Sequence, residues 1–293
     1  MNVTLYLPII FALIAAFMFA LSAHVQHLGL SANNTRQATL IIIATTAALH
    51  WLVAPFFVLS SYWVPGAILL FVLSGLLRPT LSITLWVDGI NRLGPTLNAG
   101  LSASGPMFAA AFAVVLLGEP LTVQIALGTL AVIFGIMIST WRPKGIAHQW
   151  PMWALLLPLG AAICRAAAHS VTKLGFGVVP SAVFAGLVAS TVSFFILAVR
   201  FRLAGETFNS RPIEYFWFFL SGATGCIGVF ALNVALVHGQ VVVVSPIVAS
   251  SPVFALLLAI LVFRRETLTW QTVATIAMVV IGVVLVILGS QSA

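Results

Sequence analysis

Acidic side chains are almost missing from this chain: five Asp and Glu stand against twelve Lys and Arg in 293 residues. Charged residues together make up 6%, where a soluble domain carries roughly 25%. So few charges cannot cover a water-facing surface, which excludes an ordinary soluble fold. The same shortage disfavours a pump for organic cations, which would want a buried Glu or Asp as counter-ion. Cysteine is scarce as well. Cys164 and Cys226 both fall in apolar stretches, so no disulfide framework is indicated. There is no Gly-x-Ser-x-Gly, no His-Glu-x-x-His and no paired Asp, so no hydrolytic site can be assembled and no enzyme is expected. His24, His27 and His169 have no Cys or Glu to complete a ligand set, so neither a metal nor another cofactor is expected. The first apolar stretch lacks a basic leader and an Ala-x-Ala site, and reads as a span, not a cleaved signal.

What is present in excess is apolar. Hydrophobic residues reach 62%, against roughly 45–50% in soluble domains. A helix needs about 20 apolar residues to cross a bilayer. Ten such spans are expected, near 5–27, 36–59, 65–89, 96–117, 122–141, 152–174, 180–201, 213–237, 242–263 and 269–289. The runs are too long and too uniform for barrel strands. Only 142–151 and 202–212 are long enough to be called loops, which leaves no room for a domain outside the membrane.

The chain also repeats itself about 146 positions later. Ser104-Gly105-Pro106-Met107-Phe108 answers to Ser250-Ser251-Pro252-Val253-Phe254, and Leu28-Gly29 to Leu174-Gly175. Gly94, Glu119, Leu121, Thr122, Gln124 and Gly135 answer to Gly239, Glu266, Leu268, Thr269, Gln271 and Gly282. The units are therefore 1–145 and 146–293, five spans each. An odd number of spans obliges the second unit to enter the membrane the other way round. The expected fold is all-α: ten transmembrane helices as two inverted five-helix repeats around a central cavity, an architecture of secondary transporters. Glu119 and Glu266 would then lie on opposite sides of the bilayer.

The paired segments Leu101 through Thr122 and Ala249 through Thr269 resemble the EamA repeat of the ten-helix drug/metabolite transporters. The likeness spans nearly the whole chain. It implies transport through a cavity between the halves, and is specific for the fold but not for the substrate. The Trp-Gly pair common in the first helix of such proteins is replaced here by Phe17-Met18-Phe19-Ala20.

Orientation follows from loop Lys and Arg. Arg36, Arg92, Arg142, Lys144, Arg200, Arg202, Arg211, Arg264 and Arg265 all flank odd-to-even connections, and only Lys173 lies near an even-to-odd one. The bias puts both termini on the outer side of the cytoplasmic (inner) membrane. The surplus positive charge reads as this bias and not as a nucleic-acid surface.

Two features point to a site. Pro106 and Pro252 interrupt spans four and nine at matching places, beside Ser102, Ser104 and Ser250. Such paired interruptions either expose backbone and hydroxyls to a substrate or simply kink and pack the helices. Arg78 and Arg165 lie near the centres of spans three and six, where a guanidinium must face the bundle interior or water. Arg78, Ser82 and Trp86 share one helical face; Arg165, His169 and Lys173 share another, and His24 adds basic character to span one. Each Arg would either hold an anionic group or satisfy carbonyls freed by Pro79 or Pro158. Trp86 could stack on a planar substrate or anchor at the interface, and Asn233 could bond another helix or the substrate. The expectation is a secondary transporter, exporting a small anionic or zwitterionic metabolite such as an amino acid or organic acid. A lipid or polyprenyl-phosphate flippase is the alternative. Apart from substrate and membrane lipid no partner is implied, and oligomeric state is not legible.

Overall fold

The computed structural model describes residues 3–30, 34–140, 151–262 and 269–291. Helices cross in ten spans. Span one is Val3–Gly29, span two Thr35–Phe57 and span five Val123–Thr140. Span three is Pro65–Leu93 and span four Leu97–Leu117; span six is Met152–Val178 and span seven Ala182–Leu203. Span eight is Pro212–His238, span nine Val241–Leu261 and span ten Trp270–Gln291. Among the described residues nine are long and apolar enough to cross a bilayer outright, and span five is the short one. Among the described residues there is no strand. The expected loop at 142–150, with Arg142 and Lys144, and Arg264, Arg265 and Glu266 lie outside the described residues.

Several of the described connections end or start a helix by an identifiable device. Gly118 closes span four in the left-handed region (φ 67°), and its N–H returns to the Val114 carbonyl at 3.2 Å. Span eight starts at Pro212, with Glu214 accepting from the Arg211 N–H at 3.2 Å. The connection between spans seven and eight is pinned by buried Gln37. Its amide donates to the Thr207 carbonyl at 2.6 Å, and its carbonyl accepts from the Ser210 hydroxyl at 2.9 Å.

The packing pattern survives exchange of the two halves. Span one lies on spans eight and nine as span six lies on spans three and four, and span two meets eight as seven meets three. Spans two and seven, four and nine, and five and ten pair with each other. This is the contact map that two related five-helix units make. Because lipid is as apolar as the helices, close fit has to hold such pairs together. Spans five and ten show it most sharply: a Cβ on Gly128 would lie 2.6 Å from the Gly282 carbonyl, and one on Gly282 would lie 2.7 Å from the Gly128 carbonyl.

Three spans are broken where the sequence carries Pro. Span four divides into Pro95–Ser102 and Gly105–Leu117, and span nine into Val241–Ala249 and Ser251–Leu261. Span three breaks as well, through Leu76–Leu81, a break not expected from the continuous apolar reading at 65–89. Its cause is the proline rule: Pro79 drives the preceding residue out of the helical region, and Arg78 is extended (φ −139°, ψ 120°).

Candidate functional site

The breaks of spans four and nine are built alike. Ser104 donates to the Leu101 carbonyl at 2.7 Å, and Ser250 donates to the Ile247 carbonyl at 2.6 Å. Both hydroxyls are spent on their own helix. Between the two breaks lies a cavity of about 380 Å³. Its walls obey the repeat offset: Ala99 and Ser245, Ser102 and Val248, Ala103 and Ala249, Gly105 and Ser251, Pro106 and Pro252 all line it. Each pair is 146 residues apart.

The remaining walls do not match. Spans three and six bring in Arg78, Trp86, Arg165 and His169, and span one brings in Phe19. At the 146-residue offset Arg165 corresponds to Phe19 and Arg78 to Thr224. The cavity therefore takes its cations from spans three and six, and span one puts the ring of Phe19 at the position that matches Arg165. Among the described residues no carboxylate lines it. Asp88 is exposed near the end of span three.

The two arginines are cross-linked to opposite helices. An Arg78 Nη1–H points at His169 Nε2 at 3.4 Å, and an Arg165 Nη1–H points at the Ser82 hydroxyl at 3.4 Å. His169 lies one turn beyond Arg165 on span six, so the two contacts put both guanidiniums between spans three and six, on the same cavity. A guanidinium only donates, so His169 Nε2 carries the lone pair and the ring proton sits on Nδ1, which is buried without a partner among the described residues. Both contacts are long for charge-assisted bonds, so most N–H groups on each guanidinium remain available to a ligand.

Nor do the arginines serve the broken backbone. Pro79 cannot donate to the Gly75 carbonyl, but hydroxyls of Thr80 at 3.1 Å and Ser193 at 2.9 Å take its place. Pro158 passes its own carbonyl to Ser102 at 3.5 Å.

Of the residues singled out in the sequence, Arg78, Arg165, His169, Trp86, Ser102, Pro106 and Pro252 line the cavity. Ser82 is buried behind it as the acceptor for Arg165. Ser104 and Ser250 are turned onto their own breaks. His24 Nε2 lies 2.8 Å from the Ala255 carbonyl, tying span one to span nine, and Asn233 donates to the Ala182 carbonyl at 3.1 Å, tying span eight to span seven. Lys173 leaves the stripe of Arg165 and His169 to donate to the Leu236 and Gly239 carbonyls at 2.7 and 2.8 Å. Ser245 and Ser139 are lining hydroxyls absent from the sequence candidates, and Ser251, legible as the residue before Pro252, lines the cavity in place of Ser250.

The lining reaches from mid-membrane toward one face. Trp86, Ala99, Ile136 and Ser139 carry it toward the connections after spans three and five. At the opposite face the helices are shut. Val241 to Val244 are buried, and the rings of Phe71, Phe176 and Phe184 lie 5.6–5.9 Å apart.

Two related helical units meeting over a cavity that holds two arginines and reaches toward one face define a multi-pass membrane protein built to carry small molecules. The model of the EamA-like transporter family matches residues 6–141 and again residues 152–288. The chain belongs to that family. A solved crystal structure, titled only as that of a protein, covers 97% of this chain and 97% of its own at a TM-score of 0.82 and 14% identity. That likeness is one of fold alone. No curated protein sequence matches the chain.

Proposed function

We propose that the protein is a secondary transporter exporting a small anionic or zwitterionic metabolite across the cytoplasmic membrane by alternating access. The observation that carries this reading is the pair Arg78 and Arg165 in one cavity without a carboxylate to balance them. Charge in the membrane interior persists where it has work to do, and guanidinium forks suit carboxylate and phosphate. The halves, 1–145 and 146–293, are read as inverted repeats that rock about the broken spans four and nine; the exchange symmetry of the packing supports this. Ser102, Ser245 and Ser251 supply adaptable donors, Trp86 a face for stacking, and His169 and Ser82 hold the two arginines in position.

A thermal-shift screen of the purified protein tests the reading, using anionic, zwitterionic and cationic metabolites alongside Arg78→Ala and Arg165→Ala. Carboxylates or phosphates should raise the unfolding midpoint, and either substitution should remove the effect. Stabilisation by cations or neutral aromatics alone, unchanged in the variants, would overturn it. Stabilisation confined to long-chain lipid phosphates would select a flippase instead.

A further inference from the structure

Where the cavity departs from the symmetry of its own repeat, the departure includes its charge: both arginines come from spans three and six, and their repeat mates are Thr224 and Phe19. We infer that the cargo presents two negative charges to Arg78 and Arg165 together, as a phosphomonoester or dicarboxylate does, and turns an apolar body toward Phe19. The inference rests on the anionic reading above and narrows it.

The argument begins with compensation. Alternating access requires a state in which the cavity is closed to both faces. Two guanidiniums shut away from water in that state repel each other and pay desolvation twice unless something neutralises both. The chain offers nothing for this: among the described residues no acid lines the cavity, and the partners of the two arginines are a neutral imidazole nitrogen and a hydroxyl. A single carboxylate would leave one cation uncompensated. Two negative charges on the cargo leave none.

Spacing comes next. Arg78 and Arg165 line one cavity, and each reaches across to the helix of the other, Arg78 to His169 and Arg165 to Ser82. A phosphate group can meet both guanidiniums with separate oxygens, and so can the two carboxylates of a short diacid. His169 and Ser82 fix the rotamers, so the fork orientation exists before the cargo arrives. Across the cavity the repeat mate of Arg165 is Phe19, which offers the rest of the molecule an apolar wall.

The test compares matched pairs differing by one charge: succinate with monomethyl succinate, and phenyl phosphate with methyl phenyl phosphate. Apparent affinities for the full-length protein in detergent are taken from unfolding midpoints at constant ionic strength. Each dianion should bind about tenfold or more tightly than its monoester. Arg78→Gln and Arg165→Gln should each collapse that ratio toward one while leaving monoester binding closer to wild type. Phenyl phosphate should exceed succinate, and Phe19→Ala should narrow that margin without altering the ratio between dianion and monoester. Equal binding of dianions and monoesters to the wild-type protein overturns the two-charge inference and leaves the anionic reading standing. Binding of neither, with cations stabilising instead, overturns both. The wild-type comparison decides the matter even where a variant fails to fold.

Discussion

The Glu119 carboxylate, from the turn after span four, accepts the backbone N–H of Val241 at 2.9 Å through one oxygen, while the other takes the N–H of Val242 at the same distance. One half of the chain thus caps a helix of the other. The position is buried and sits where the first N–H groups of span nine have no acceptors of their own, at the positive end of its dipole. Lys173 does the complementary work at the carbonyl end of span eight, one residue before the same turn. Opposite charges therefore grip both sides of His238-Gly239-Gln240, on the face where the cavity is closed.

Removing the carboxylate should cost more than an ordinary cap. Glu119→Ala strands two buried N–H groups and should lower stability by about 2–4 kcal/mol. Glu119→Gln keeps one oxygen acceptor and should lose about half as much. Fluorescence-detected size exclusion after heating gives the two midpoints; an alanine variant that melts with the wild type would show the cap to be idle.

A second tight spot lies away from the cavity. His50 is held by the Thr46 carbonyl at 2.8 Å and by Cys226 Sγ at 3.5 Å, and the Nε2 end of its ring points at Gly186. A Cβ on Gly186 would overlap Nε2. Gly186→Ala should destabilise by about 1–3 kcal/mol through overpacking. Adding His50→Ala should give back part of that loss, so the double variant sits at least about 1 kcal/mol above the sum of the singles. Strict additivity would mean that spans two and seven part easily there.

The sequence made the spans and the two matched breaks readable, and the reason is physical. Length and apolarity are enough to mark a crossing helix, and a proline recurring at the same place in each half marks a break twice over. The direction of side chains was harder. In a helix that is apolar all round, lipid and protein interior look alike, so nothing in the pattern around His24 or Asn233 told which neighbour each would bond. In span four the hydroxyl nearest the proline was the natural candidate, yet Ser104 turns back onto the Leu101 carbonyl; in span nine Ser250 turns back likewise onto Ile247, and Ser251, directly before Pro252, lines the cavity. The break at Arg78 was legible in principle, because Pro79 constrains the residue before it, but an unbroken apolar run concealed it.

The seam between spans five and ten depends on two glycines meeting backbone to backbone. Gly128→Ala or Gly282→Ala should each push the helices apart and cost about 1–3 kcal/mol. Because both act on one contact, the double substitution should cost clearly less than their sum. Unfolding midpoints of the three variants check this, and full additivity would show that each glycine answers to a different neighbour.

The compartment that the cavity faces depends on orientation, and the loop charges commit to one. Arg36, Arg92, Arg200, Arg202 and Arg211 lie at the ends of spans on a single face, the one toward which Trp86, Ile136 and Ser139 extend the cavity. Positive residues stay in the cytoplasm, so this conformation would load from inside, as an exporter must. Ser61 and Ala204 are exposed on opposite faces, in the connection between spans two and three and in the one after span seven. Ser61→Cys should react with a membrane-impermeant maleimide on intact cells and Ala204→Cys should not, with the order reversed in inverted vesicles. The native chain supplies the blank, since Cys164 is buried and Cys226 half-buried within their spans. Labelling of Ala204→Cys from outside would invert the protein in the membrane. The same cavity would then open to the exterior, and export would have to start from the conformation in which the Glu119 cap and the Lys173 contacts have let go.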